Sequence, residues 1–234
     1  MRSGVAGEAD LTARARIRDA AIEVFGSAGF DAPVRAVAAR AGVSPGLLNH
    51  HFGSKDGLRA ECDAHVLQRI RRAKTDAVTG SPAVALAQLA AVEENAPLAA
   101  YVLQALQAGG DFAAAFVEQM VSDARDYLAA GVAAGTVRPS RDPAARARHL
   151  TLSALGSLLL HARLRSGGTD VAGLLRHVAD SATLPALELY TEGLLTDRSM
   201  LDDYLMQVPD PPAAASAPAT PPPDGGVPNP QESA

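Results

Sequence analysis

The side chains whose type and spacing could do chemistry form a short set. His50 and His51 are adjacent, Cys62 and His65 stand three apart, and Glu118, Asp123 and Asp126 share one stretch of chain. Neighbours on a helix diverge by about 100°, so His50 and His51 are poorly placed to share an ion. Cys62 and His65 could face one way, yet no second pair at metal-ligand spacing lies near them, and Cys62 reads as a half-buried apolar residue. Glu118, Asp123 and Asp126 read as a solvated helix face; His149, His161 and His177 read as core or interface histidines. No nucleophile elbow, phosphate-cradling glycine loop or metal-ligand cluster occurs. The expectation is a protein with no catalytic residues, no metal and no cofactor, and not an enzyme.

What remains is the chemistry of holding a polyanion, and it is concentrated in residues 34–52, VRAVAARAGVSPGLLNHHF. A short helix with Val34, Val37, Ala38 and Ala41 inward is followed by Gly42-Val43-Ser44 and a second short helix. Gly42 can adopt positive φ cheaply and so permits a tight turn. Val43 plugs the angle between the helices, and Ser44 caps the second with Pro45 at its first position. Leu48 and Phe52, four apart, bury the inner face of that helix, which leaves Pro45, Leu47, Asn49 and His50 nearer the outside. This is the pattern of a helix-turn-helix, whose second helix enters the major groove of DNA.

The stretch Ala41-Gly42-Val43-Ser44-x-Gly46-x-Leu48-x-x-His51-Phe52-x-Ser54-Lys55-x-x-Leu58, preceded by Phe25-Gly26-Ser27-Ala28-Gly29-Phe30, resembles the N-terminal signature of the tetracycline-repressor (TetR) family over residues 12–60. The resemblance implies an all-helical homodimeric regulator: an N-terminal three-helix helix-turn-helix domain on a palindromic double-stranded DNA operator, and a C-terminal helical domain for ligand binding and dimerisation. It also implies roles. Arg35 matches a position that reaches DNA in some members, and Lys55 matches the family's phosphate-contacting lysine. Ser44, Pro45, Leu47, Asn49 and His50 occupy the exposed positions of the recognition helix. There Ser44 could bind a phosphate, Asn49 an adenine edge and Leu47 a thymine methyl. Two departures stand out. Asn49 replaces the family's common Tyr, and Ala32-Pro33 replaces its common Thr pair, so that Asp31 is expected to cap the helix at Val34.

The elements that must position these residues follow from proline and glycine. Ser44-Pro45, Ser81-Pro82, Asp142-Pro143 and Thr183 before Pro185 read as helix starts, and no sustained two-residue alternation separates them. The fold class is all-α. Helices are expected over 12–26, 34–41, 45–51, 54–77, 82–93 and 97–107, from Asp111 onward, and over 142–165, 171–180, 184–196 and 199–207. The organisation expected is a flexible 1–11, a DNA-binding domain at 12–58, an effector and dimerisation domain at 59–207, and a disordered Pro/Ala-rich tail at 208–234, which holds nine of the 16 prolines.

The net charge of −5 is unevenly spread: residues 1–75 carry 12 Lys/Arg against 8 Asp/Glu, the remainder 9 against 18. The acidic total excludes a simple basic coat, while the basic excess at one end suits a polyanion. A single Cys excludes a disulfide framework. No apolar run is long enough to span a membrane, and Met1–Asp10 lacks the apolar run of a signal peptide, so a cytoplasmic protein, nucleoid-associated when bound, is expected.

The resemblance further places an effector cavity in the C-terminal domain, with Leu89, Val92, Tyr101, Phe112, Phe116, Leu152 and Leu155 as its expected walls. Few aromatics and abundant Ala suggest an aliphatic pocket and a small lipophilic effector. Ala154, Gly156 and Ser157, small residues that allow close helix approach, together with Leu187, Tyr190 and Leu194, are the expected dimer interface. The function expected is a repressor released from its operator by that effector. The alternatives are a helical ligand-binding protein or enzyme that does not bind DNA, and a ligand-independent activator.

Overall fold

Every regular element among the described residues is a helix. The computed structural model describes residues 3–164 and 170–208, without the side chains of residues 3–10, 88–90, 92 and 93. Helix α1 (Ser3–Ala28) starts earlier than expected, since no proline lies between Ser3 and Thr12 to stop it. Its Ile17, Ala21 and Phe25, four apart, are all but fully buried. Helices α2 (Val34–Ala41) and α3 (Pro45–Phe52) follow, and α4 (Lys55–Thr79) turns Leu58, Cys62 and Val66, again four apart, into the same core. Asp31 does not cap α2. Pro33 occupies the N-cap and offers no side-chain acceptor, and the Ala36 N–H bonds the Pro33 carbonyl instead.

The remaining helices are α5 (Pro82–Ala90), α6 (Val92–Ala108), α7 (Gly110–Ala133), α8 (Pro143–Leu164), α9 (Val171–Thr191) and α10 (Ser199–Gln207). Two prolines read as helix starts lie inside helices. Pro97 falls within α6, and Pro185 within α9, so the segments expected at 171–180 and 184–196 are one helix ending at Thr191. An internal proline forfeits one backbone hydrogen bond and costs about 3 kcal/mol. Packing of α9 along α6 and of α6 along α1 offsets that cost, which no local signal reveals.

The core runs through α4. One cluster of buried side chains joins Ile17, Phe25, Val37, Leu48, Leu58, Cys62 and Val66 to Tyr101, Ala105, Phe116 and Leu155. Helices α1 to α4 therefore share an interior with α6, α7 and α8. A second cluster, Ala124, Leu128 and Ala147, holds α7 to α8. Gly131 lets this end of α7 close up, since a Cβ there would stand 2.6 Å from Val137 Cγ2 and 3.3 Å from Val78 Cβ. Met1–Leu194 makes one compact unit; Leu195 onward makes a second, in which α10 is the described helix. Residues 209–234, most of the expected tail, lie outside the described residues.

Candidate functional site

The turn between α2 and α3 is built by three local devices. Gly42 sits at φ 65°, ψ 39°, the left-handed conformation that ends a helix, and its N–H reaches the Ala38 and Ala39 carbonyls. Val43 N–H bonds the Ala38 carbonyl at 3.0 Å. Ser44 Oγ accepts the Leu47 N–H at 3.2 Å, which caps α3 and leaves the hydroxyl proton able to donate to a phosphate. Leu48 is 1% exposed and pins α3 to the core, a burial of about 2 to 3 kcal/mol. Pro45, Asn49 and His50 stand exposed on the other side, with Ser44 beside them. Arg35 is exposed at the start of α2, while Leu47 and Lys55 are half-buried. Arg35, Pro45 and Lys55 thus stand in the first turns of α2, α3 and α4, where unpaired N–H groups favour an anion.

The joint from α3 into α4 depends on glycine. Ser54 Oγ accepts the Gly57 N–H at 3.0 Å, and a Cβ on Gly57 would stand 2.2 Å from the Phe52 carbonyl oxygen. Arg14 reaches over the Phe52 ring at 5.3 Å and pairs with Glu61 at 2.7 Å, tying α1 to both helices. Cys62 is buried, and burial together with the neighbouring Asp63 pushes its thiol up to about 12, so it is not a reactive thiolate.

Sequence reasoning missed a polar junction where the α1–α2 loop meets α4, α6 and α7. The Arg59 guanidinium lies over the Phe30 ring, 3.7 Å from its centroid, and over the Phe112 ring, 3.5 Å from its centroid, in the corner that the two rings form by meeting edge-on at 5.7 Å. Phe30 also meets Tyr101 edge-on at 5.2 Å. The Tyr101 hydroxyl donates to Asp63 Oδ1 at 2.7 Å. Burial raises the Asp63 carboxyl above its ordinary range, and the Tyr101 hydrogen bond and Arg59 oppose that rise. Residues 30, 59 and 112 share no spacing or motif, so the sequence carries no signal for this stack.

The expected effector residues separate in space. Tyr101, Phe112 and Phe116 pack in the junction core, Leu152 is 46% exposed, and the Leu89 and Val92 side chains lie outside the described residues. Leu155 alone of that set lines a cavity of about 740 Å3 between α4, α7 and α8, closed at one side by Tyr190 and Thr191 of α9. Its wall mixes apolar and charged side chains. Leu67, Ile70, Met120, Leu128 and Leu150 share it with Arg71, Lys74, Arg138, Arg146, His149 and Asp123. Asp123 is buried rather than part of a solvated face; Arg71 pairs with Asp123 at 3.4 Å and with Asp126 at 2.9 Å. Three-residue spacing on α4 puts Arg71 and Lys74 on one side, but which side only the packing against α7 decides.

Of the residues expected at a dimer interface, Ala154, Gly156, Leu187, Tyr190 and Leu194 are exposed and Ser157 is half-buried. No group of three or more metal-ligating side chains occurs among the described residues, and no helix among them is long and apolar enough to cross a membrane.

Residues 17–62 match the family model of bacterial regulatory proteins of the tetR family, and residues 93–196 match the tetracyclin repressor-like C-terminal domain. The HTH-type transcriptional regulatory protein RaaS of Mycobacterium tuberculosis is 49% identical over 200 residues, which cover 85% of this chain and 94% of that one. The HTH-type transcriptional regulator BetI of Paraburkholderia phytofirmans is 34% identical over 94 residues, 36% of this chain and 48% of its own. A solved regulator from Clostridium perfringens aligns over 78% of this chain and 100% of that one with a TM-score of 0.50 at 19% identity, a likeness of fold alone. With the turn geometry around Gly42, the matched families and a relative of this identity, the chain belongs to the TetR family of bacterial transcriptional regulators, helix-turn-helix DNA-binding proteins and not enzymes.

Proposed function

We propose that this chain is a repressor that binds a palindromic operator as a homodimer and is released by a small effector held between α4, α7 and α8. The observation that carries the DNA reading is α3 itself. Buried Leu48 fixes its rotation, so that Ser44, Pro45, Asn49 and His50 face outward together, with Arg35 and Lys55 flanking them. One short helix reads few base pairs, and two copies spaced by one helical turn, about 34 Å, give a usable site.

The apolar side chains left exposed on α8 and α9 support the dimer. Leu160 is 58% exposed, Leu164 73%, Leu184 65% and Leu187 51%, apolar side chains that packing against a second copy would take out of water. Ala154 and Gly156 add the small residues that let helices approach. Release follows from α4, which carries Lys55 at one end and cavity-lining Leu67, Ile70, Arg71 and Lys74 further along. An effector that favours a different seat for α4 shifts the spacing of the two recognition helices. Linkage then requires that operator weaken the effector by the same factor.

The test is a gel shift on the DNA upstream of the chain's own gene across a salt series. Affinity falls steeply with salt if Arg35, Lys55 and the helix N-termini hold phosphates. Lys55→Ala weakens all sequences alike and lowers the salt slope by about 1, while Asn49→Ala changes sequence preference. No binding by an intact dimer at low salt, or two variants indistinguishable from the wild type, overturns the reading.

A further inference from the structure

The cavity between α4, α7 and α8 holds more positive than negative charge. Arg71, Lys74, Arg138 and Arg146 line it against one carboxylate, Asp123, and Arg71 is already committed to Asp123 and Asp126. No ion pair among the described residues engages Lys74, Arg138 or Arg146. Arg146 Nη1 donates to the Arg138 carbonyl at 2.5 Å, which fixes the guanidinium, and its Nε–H is buried without a hydrogen-bond partner. A buried donor left unsatisfied costs free energy that a bound acceptor restores.

Beyond these cations the wall is apolar, with Leu67, Met120, Leu128 and Leu155 lining the rest. The volume of about 740 Å3 suits a small molecule rather than a bare ion, which apolar walls would leave poorly solvated.

We infer that the effector of this cavity is an organic anion, an apolar body bearing one carboxylate or other oxyanion head, with the head held by Lys74 and Arg146 and the body against α4, α7 and α8. Guanidinium and ammonium together are strong partners for such a head, since charge-assisted hydrogen bonds are stronger than neutral ones. A neutral ligand of the same shape leaves the cations without a partner, and a cationic one adds repulsion. This replaces the purely lipophilic effector expected from composition. It rests on the reading of the cavity as the effector site and is independent of DNA.

The test is calorimetric titration of the full chain, without DNA, with three probes of one shape: 2-naphthoate, 2-naphthol and 2-naphthylmethylammonium at pH 7. The expected result is that naphthoate binds at least tenfold more tightly than either of the others. Lys74→Met then lowers naphthoate affinity about fivefold or more and leaves naphthol unchanged. Equal affinities, tighter binding of the amine, an unaltered preference in Lys74→Met, or no binding of any probe at millimolar concentration overturns the inference. The operator gel shift of the wild-type protein is a separate measurement, so the ligand class can fail while the DNA reading stands, and the reverse.

Discussion

Replacing Arg59 by Met tests whether the junction of the α1–α2 loop with α4, α6 and α7 is held by the cation or only by shape. Met keeps an unbranched apolar stem between Phe30 and Phe112 and removes the guanidinium, whose carbon stands 3.7 and 3.5 Å from the two ring centroids. Two terms oppose. Arg59 Nε and Nη2 are buried without hydrogen-bond partners, and removing such donors recovers about 1 to 3 kcal/mol each. Against that, a desolvated cation–π contact is worth about 2 kcal/mol, and two rings double it. The donors belong to a cation that two ring faces already hold, which cuts the penalty they carry. Asp63, half-buried nearby, loses its neighbouring cation as well. The attractive terms win, and Arg59→Met destabilises the protein by about 2 kcal/mol, or roughly 4 to 8 °C in Tm for a chain of this size. Thermal unfolding by circular dichroism reads this directly, and a double-mutant cycle with Phe112→Leu yields a coupling of about 0.5 to 2 kcal/mol. A raised or unchanged Tm shows that the buried donors dominate. Zero coupling shows that the stack is geometry without energy, and either result refutes the reasoning.

Other changes have expected outcomes of their own. Gly57→Ala forces the α3–α4 joint to shift, because the new Cβ meets the Phe52 carbonyl oxygen at 2.2 Å; operator affinity falls more than tenfold, and an unchanged gel shift refutes it. Leu48→Ala costs about 2 to 5 kcal/mol by denaturant titration, since the side chain is fully enclosed. Asp63→Asn raises stability at pH 7. Burial raises the folded-state carboxyl pKa, so this group's contribution is complete below its unfolded value of 3.8 and is lost as pH rises through the folded value. The Asn variant should therefore gain in Tm above that window and not below pH 3.8, and a gain that is independent of pH assigns the effect elsewhere. Deleting residues 209–234 leaves operator affinity within twofold if the tail takes no part in DNA binding, as a gel shift would show.

How much was legible in the sequence depended on the range of the interaction. The turn was written locally: Gly42 for positive φ, Ser44 for a cap three residues from its donor, and Leu48 for the inner face are each set within one or two helical turns. The bounds of α2 were read to the residue, and α3 extended by one. Proline misled where tertiary packing outweighed it, at Pro97 and Pro185. Composition is silent on the cavity, because an average over the chain says nothing of which side chains line one space.

The sequence by itself determined that the chain is helical and carries a helix-turn-helix, and it determined which face of α3 looks outward, because periodicity and capping act between near neighbours in the chain. Only the tertiary structure decided that Arg59 rests on the rings of residues 29 positions before and 53 after it, and that Arg71, Lys74 and Arg146 line one cavity. Those contacts join separate helices whose relative rotation is set by packing of the whole core, and no local spacing encodes that rotation.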